Sequence, residues 1–107
     1  MVIRFEKEYL SELYYDGKSR NKKYRFQPQV VRNYVKRIIT LAEIKKEEEL
    51  YEMNSLNYEV LKGDKKGISS IRIDRQYRLE FTITIHDSGE EIINVCSILD
   101  ISNHYKT

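Results

Sequence analysis

Residues 61–81 read LKGDKKGISSIRIDRQYRLEF, and the two apolar-polar runs at the end of this stretch decide the fold. From Ile68 to Asp74 and again from Tyr77 to Phe81, large apolar and polar residues alternate with the period of a half-buried strand. Arg75 and Gln76 between them read as the turn of a hairpin. With Ile71 and Ile73 facing the core, Ser70, Arg72 and Asp74 face away. With Tyr77, Leu79, Phe81 and Ile83 inward, Arg78, Glu80 and Thr82 face away. Two arginines therefore share the face that the core does not use. Pairing Ile73 with Leu79 predicts Arg72 opposite Glu80 and Asp74 opposite Arg78, with the arginines as diagonal neighbours able to converge on one anion. The same register admits a plainer reading, two exposed cross-strand ion pairs worth well under about 1 kcal/mol each. On either reading, replacing one arginine by alanine is expected to leave thermal stability nearly unchanged.

Outward from the hairpin the strand signals continue. Tyr58 to Lys62 precedes Gly63, Tyr77 to Ile85 lengthens the second hairpin strand, and Asp87, Ser88 and Gly89 form a turn, with His86 just before it, ahead of Glu91 to Leu99. Together these runs predict an antiparallel meander. Toward the N-terminus, Val2 to Phe5 reads as a short strand, and Tyr9, Leu10, Leu13 and Tyr14 recur at helical spacing within Glu6 to Tyr15. Pro28 marks the first turn of a second helix, where its missing N–H has no partner to lose. Val31, Tyr34, Val35, Ile38, Ile39 and Ala42 make its apolar stripe, with Arg32, Lys36 and Arg37 away from it. Glu43 to Asn57 is acidic and weakly periodic, predicting a brief helical continuation and then a loop with one short turn. The order β-α-α-β-β-β predicts an α+β fold, a two-helix hairpin packed on one face of an antiparallel sheet.

A chain of 107 residues suits one domain, residues 1–107, burying about two thirds of its unfolded surface. The single cysteine, Cys96, excludes an internal disulfide and reads as a small core side chain within a strand. No charged-then-apolar leader or long apolar run is present, which leads to the expectation of a cytoplasmic protein that does not enter a membrane. The formal net charge of +2 hides a strong asymmetry. Between Lys18 and Arg37 there are eight cations and no Asp or Glu. A second basic group holds Lys62, Lys65, Lys66, Arg72, Arg75 and Arg78, and acids gather at Glu47, Glu48, Glu49 and Glu52. Basic runs often serve only to solvate a surface. Here the lysines lie on a loop bracketed by Gly63 and Gly67 beside two arginines, which fits a site for phosphate. The two histidines, His86 and His104, are not joined by a ligand-spaced set of Cys or carboxylates, so a metal site is not expected.

The stretch LKGDKKGISSIRIDRQYRLEF resembles the signature of the HigB toxins, within the RelE superfamily of type II toxin–antitoxin systems. There a leucine-lysine-glycine loop precedes a serine-isoleucine-arginine strand and a glutamine-aromatic-arginine hairpin. The resemblance covers essentially the whole chain, and the closing ISNHYK is similar to the family's last segment. It implies a ribosome-dependent endoribonuclease that cuts messenger RNA in the decoding site of the small subunit, uses neither metal nor other cofactor, and is restrained by a HigA-like helix-turn-helix antitoxin.

Such cleavage proceeds by attack of a ribose 2′-hydroxyl on the adjacent phosphate, and it needs a base, cations for the developing charge and an acid for the leaving oxygen. The resemblance assigns Arg72 and Arg78 to the scissile phosphate, with Lys62 assisting. It makes His104 the acid–base candidate and Tyr105 its hydrogen-bonding or stacking partner. Relatives commonly end in aspartate-tyrosine-histidine, whereas Asn103, His104 and Tyr105 exchange the last two and replace the acid with an amide. Some relatives carry histidine three residues before the motif lysine, where this chain has Glu59. Lys65, Lys66, Arg75 and Asn103 are expected to touch RNA. A second reading is a non-catalytic RNA- or ribosome-binding module descended from such a toxin, which would need the cations but not a protonatable His104.

Overall fold

Apolar residues at i, i+3 and i+4 place Leu10 and Leu13 on one side of α1 (Glu8–Asp16), and Tyr34, Ile38 and Leu41 on one side of α2 (Pro28–Glu43); all five are almost completely buried. The computed structural model describes residues 1–103. Along α2 the stripe runs through Val30, Val31, Tyr34, Ile38 and Leu41, whereas Ile39 is 43% exposed and Ala42 faces solvent. The stripe expected to run through Ile39 and Ala42 is thus rotated by about a sixth of a turn, because steps of four and three from Tyr34 lead to Ile38 and Leu41. The Tyr34 hydroxyl, sealed between the helices, donates to the Leu10 carbonyl at 2.7 Å. After α2, the acidic segment forms a single turn, α3 (Glu48–Tyr51), which buries Leu50, and then a 3-10 turn at Asn54–Leu56.

Five strands form the sheet, β1 (Val2–Phe5), β2 (Glu59–Val60), β3 (Ser69–Arg72), β4 (Tyr77–Asp87) and β5 (Ile92–Asn103), in the order β1-β5-β4-β3-β2. The α+β class and the C-terminal meander match the sequence expectation, but the meander has four strands, β2 to β5, where the order β-α-α-β-β-β counted three. One pairing departs from it, since β1 lies parallel to β5, with Val2 beside Val95 and Phe5 beside Ile98. The two helices between β1 and the meander supply the crossover that a parallel neighbour requires. Strand β4 also runs further than expected, so His86 lies within it rather than in a turn, and β5 continues to Asn103, drawing Ile101, Ser102 and Asn103 into the sheet.

The core lies between the helices and one face of the sheet, where Ile71, Leu79, Phe81, Cys96 and Ile98 are fully buried. Burial pushes the Cys96 thiol up to about 12, consistent with an inert packing role. Opposite Glu80 and Phe81 the pairing of β4 with β5 slips by one residue, so that Glu80 faces Asp100 while Phe81 faces Ile98. Asp100 is held there by α1. It accepts hydrogen bonds from the Tyr9 hydroxyl and, at 2.9 Å, from Lys7 Nζ, and the Tyr9 oxygen also accepts the Ile101 amide at 2.9 Å. Beyond Phe81, β4 loses β3 as a neighbour, and before Val95, β5 lacks β1. The two strands therefore continue as a two-stranded ribbon to the Ser88–Gly89 turn, with Ile85 and Ile92 exposed.

Candidate active site on the polar face of the sheet

The hairpin turn falls one residue earlier than the sequence register assumed. The Asp74 carboxylate accepts the amides of Gln76 and Tyr77, each at 2.8 Å, and the amides of Ile73 and Asp74 both donate to the Tyr77 carbonyl. Ile71 consequently lies opposite Leu79, Ser70 opposite Glu80, and Arg72 directly opposite Arg78. The expected pairs Arg72–Glu80 and Asp74–Arg78 do not form. The shift is two residues, an even number, so every side chain keeps the face that alternation gave it.

Across the strands this face is laid out in rows. Glu59 on β2, Ser70 on β3, Glu80 on β4 and Asp100 on β5 occupy one row, and Arg72, Arg78 and Ser102 the next. It faces away from the helices yet is not open to water throughout, because the segment from Asn57 to Ile68 folds over it. Gly63 and Gly67, with φ of +69° and +90°, supply the left-handed backbone on which this loop bends. Beneath it Ser70, Arg78 and Glu80 are buried. The expectation of two exposed arginines is therefore wrong for Arg78.

Arg78 Nε donates to Ser70 Oγ at 2.5 Å, and its Nη2 donates to the carbonyls of Asn57 at 2.5 Å and Ser70 at 3.1 Å. Glu59, half-exposed, brings its carboxylate to 3.8 Å from the same Nη2. Burial, with a smaller push from Arg72, holds the Arg78 pKa below its ordinary value, against the opposing pull of Glu59. Lys65 reaches in from the loop to place Nζ 2.7 Å from Glu80 Oε2. No buried side-chain nitrogen or oxygen among the described residues lacks a partner, so the polar floor is fixed before any ligand arrives.

Above this floor is an open cleft of about 420 Å³, walled by Glu59, Leu61, Lys65, Ser102 and Asn103, with Ser70, Arg78 and Glu80 at its base. Of the residues singled out from the sequence, Arg78, Lys65 and Asn103 line it, and Arg72 stands beside it, opposite Arg78. Lys62, Lys66 and Arg75 are exposed on the loop and the hairpin tip and do not line the cleft. His104 and Tyr105 lie outside the described residues. Glu59, Ser70, Glu80 and Ser102 are cleft residues that sequence reading did not assign. Alternation had already put Ser70 and Glu80 on this face and Glu59 stands where some relatives carry histidine, while Ser102 could have been found only through its register opposite Arg78.

Arg37, read as lying away from the apolar stripe of the second helix, is half-buried, with Nε 2.6 Å from the Arg72 carbonyl. Burial, and then the charge of Arg72, holds its pKa below the ordinary value.

A family profile described as a RelE-like toxin of the type II toxin–antitoxin system HigB matches residues 3–101. The chain belongs to the HigB-like toxin family. Compared with curated proteins, this HigB-like toxin has no match. Among solved structures it is similar to a YoeB/ParE toxin from Agrobacterium tumefaciens, at 16% identity and a TM-score of 0.55 over 98% of this chain and 100% of that one. At that identity the likeness shows a shared fold. Among its described residues, no helix of the HigB-like chain is long and apolar enough to cross a membrane.

Proposed function

We propose that this HigB-like toxin is a metal-independent endoribonuclease that cuts messenger RNA on the ribosome, in the decoding site of the small subunit, and so stops translation in the cytoplasm. The observation that carries this reading is the buried Arg78 guanidinium at the base of an open cleft, with Arg72 directly across the hairpin and the Glu59 carboxylate 3.8 Å away. A carboxylate acceptor and fixed cations on one accessible face are what phosphodiester cleavage by an internal nucleophile requires. Glu59 takes the proton of a ribose 2′-hydroxyl as its oxygen attacks the adjacent phosphorus. Arg78 and Arg72 hold the charge that develops on the phosphorane. The bond from phosphorus to the 5′-oxygen then breaks, that oxygen takes a proton from His104 or Tyr105, and the products are a 2′,3′-cyclic phosphate and a 5′-hydroxyl.

Lys62, Lys66 and Arg75 on the cleft's approach, with Lys65 and Asn103 in its wall, meet the RNA backbone and its ribosomal surroundings. A HigA-like helix-turn-helix antitoxin is the partner that restrains the toxin. The test is cleavage of a defined message on programmed ribosomes, read as cyclic-phosphate ends. Glu59→Gln and His104→Gln are each expected to lower cleavage at least about tenfold, the lower range for loss of general acid–base catalysis, while co-sedimentation with ribosomes persists. Wild-type protein that sediments with ribosomes and never cuts would establish the binding-module reading instead.

A further inference from the structure

The apolar surface of α2 is wider than the core uses. Pro28, Val31, Val35, Ile39 and Ala42 follow one another at steps of three and four, yet of these only Val31 is buried; Val35 is half-buried, and Pro28, Ile39 and Ala42 are exposed. This shoulder runs along the helix for about four turns, on the order of 20 Å. At its N-terminal end it joins Tyr14 of α1 and Phe26 of the connecting segment, both half-buried, as the floor of an open groove of about 570 Å³. Lys18, Arg32 and Lys36 stand along the rim, all three exposed.

Nothing on this side of the molecule balances the rim. Among the described residues no carboxylate lies at salt-bridge distance from Lys18, Arg32 or Lys36, and Arg32 donates to the neutral Gln29 side chain at 2.8 Å. No Asp or Glu occurs from Gly17 to Ala42. An apolar floor calls for an apolar occupant that displaces its water, and a cationic rim calls for an acidic one. A phosphate chain would satisfy the rim and leave the floor wet. An extended peptide would bring unpaired backbone N–H and C=O groups against the floor, and no strand lines the groove to receive them. A helix satisfies its own backbone and offers both kinds of side chain at once.

We propose that this groove docks an acidic amphipathic helix of a protein partner, with apolar residues at i, i+3, i+4 and i+7 against the α2 shoulder and Asp or Glu along the edge that meets Lys18, Arg32 and Lys36. The cations steer and select the partner, and the apolar floor supplies the affinity. The groove is built on α1, α2 and the segment between them, whereas the Arg78 cleft opens on the face of the sheet turned away from the helices. Filling one leaves the other open, so the docking site stands apart from the nuclease reading.

The test uses the whole chain and a fluorescein-labelled, stapled helical peptide of about four turns, with leucine at i, i+3, i+4 and i+7 and glutamate at the flanking positions. Two companion peptides keep the leucines and carry glutamine or lysine in place of glutamate. Fluorescence polarisation at about 50 mM salt should rank the glutamate peptide tightest and the lysine peptide weakest, with the spread narrowing at about 200 mM. Arg32→Glu with Lys36→Glu is expected to weaken the glutamate peptide at least about tenfold and to strengthen the lysine peptide. Lys45→Glu with Lys46→Glu makes the same change in net charge beyond the C-terminal end of α2 and should leave both affinities within about twofold of wild type. Ile39→Gln, at an exposed position that leaves the thermal midpoint in place, should weaken the glutamate peptide about fivefold. Equal binding of the three peptides would mean that the cations only solvate the surface, and it overturns the proposal. So does an equal loss in the Lys45 and Lys46 variant, or a glutamate peptide that does not bind saturably. A short 2′-O-methyl RNA should not displace the peptide; displacement that is lost in the Arg32 and Lys36 variant would assign the groove to nucleic acid and overturn the proposal. Cleavage on programmed ribosomes is scored separately. A chain that docks the peptide and never cuts keeps the groove and loses the nuclease reading.

Discussion

The two faces of the β3–β4 hairpin are buried to similar depth by opposite means. On the helix side Ile71, Leu79 and Phe81 are each at 0% exposure, and on the far side Ser70, Arg78 and Glu80 are at 1%, 5% and 7%. Apolar side chains from α1 and α2 displace water from the first face, a contribution that is non-directional and scales with area. On the second, the loop from Asn57 to Ile68 replaces water with specific acceptors and counter-charges. Such a layer contributes little net stability, yet loses much when one member is removed. One face holds the fold together; the other holds charges in place at the base of a cleft.

The largest expected departure comes from the apolar face. Leu79→Ala should cost about 2–5 kcal/mol, the range for truncating a buried leucine, measured by urea unfolding. A loss below about 1 kcal/mol would mean that the helices do not carry the fold. The opposite face is tested by two arginines that share one row. Arg78→Ala should lose about 1–3 kcal/mol, because Ser70 and Asn57 lose their donor under the loop, and should remove cleavage as well. Arg72→Ala should stay within about 0.5 kcal/mol of wild type while cleavage and RNA affinity fall. Equal stabilities for the two variants would erase the distinction between the buried cation and the open one.

The smallest effect is at Asp100, where the polar row meets α1. Burial favours the neutral carboxyl, but the hydrogen bonds from Tyr9 and Lys7 prevail and hold its pKa below the ordinary carboxylate range. A carboxyl whose folded pKa lies below its unfolded value adds stability that is present above the unfolded value and is lost as pH falls through the folded one. Urea midpoints followed from neutral pH into the acid range should therefore fall less steeply in Asp100→Asn than in wild type. Parallel curves would show that the clamp contributes nothing through its charge.

Alternation made the faces legible from sequence because side-chain direction in a strand has a period of two, and the actual register differs from the expected one by an even step. Turn position was not legible, because it depends on the Asp74 carboxylate gathering two amides. Nor was the burial of Arg78, whose acceptor at Asn57 is 21 residues away in the chain. The parallel contact of β1 with β5 is more distant still, and nothing local in VIRF announces it. The partial burial of Arg37 was not legible for a related reason. Helical periodicity shows that a residue leaves the main stripe, not that a hairpin from another part of the chain waits beside it.

The β4–β5 ribbon gives the two strands a graded susceptibility to amide hydrogen exchange. From Thr82 onward, β4 has a partner on one side only, so its outward-facing amides are open to solvent while the inward-facing ones stay in the ladder. Exchange along Thr82–Asp87 should alternate between fast and slow at successive residues, and the slow ones should report opening of the ribbon rather than of the whole molecule. At the other end of the same strands, Leu79 and Arg78 lie between β3 and β5, and their amides exchange only with deeper unfolding. The ribbon can fray and re-form while the cleft keeps its shape.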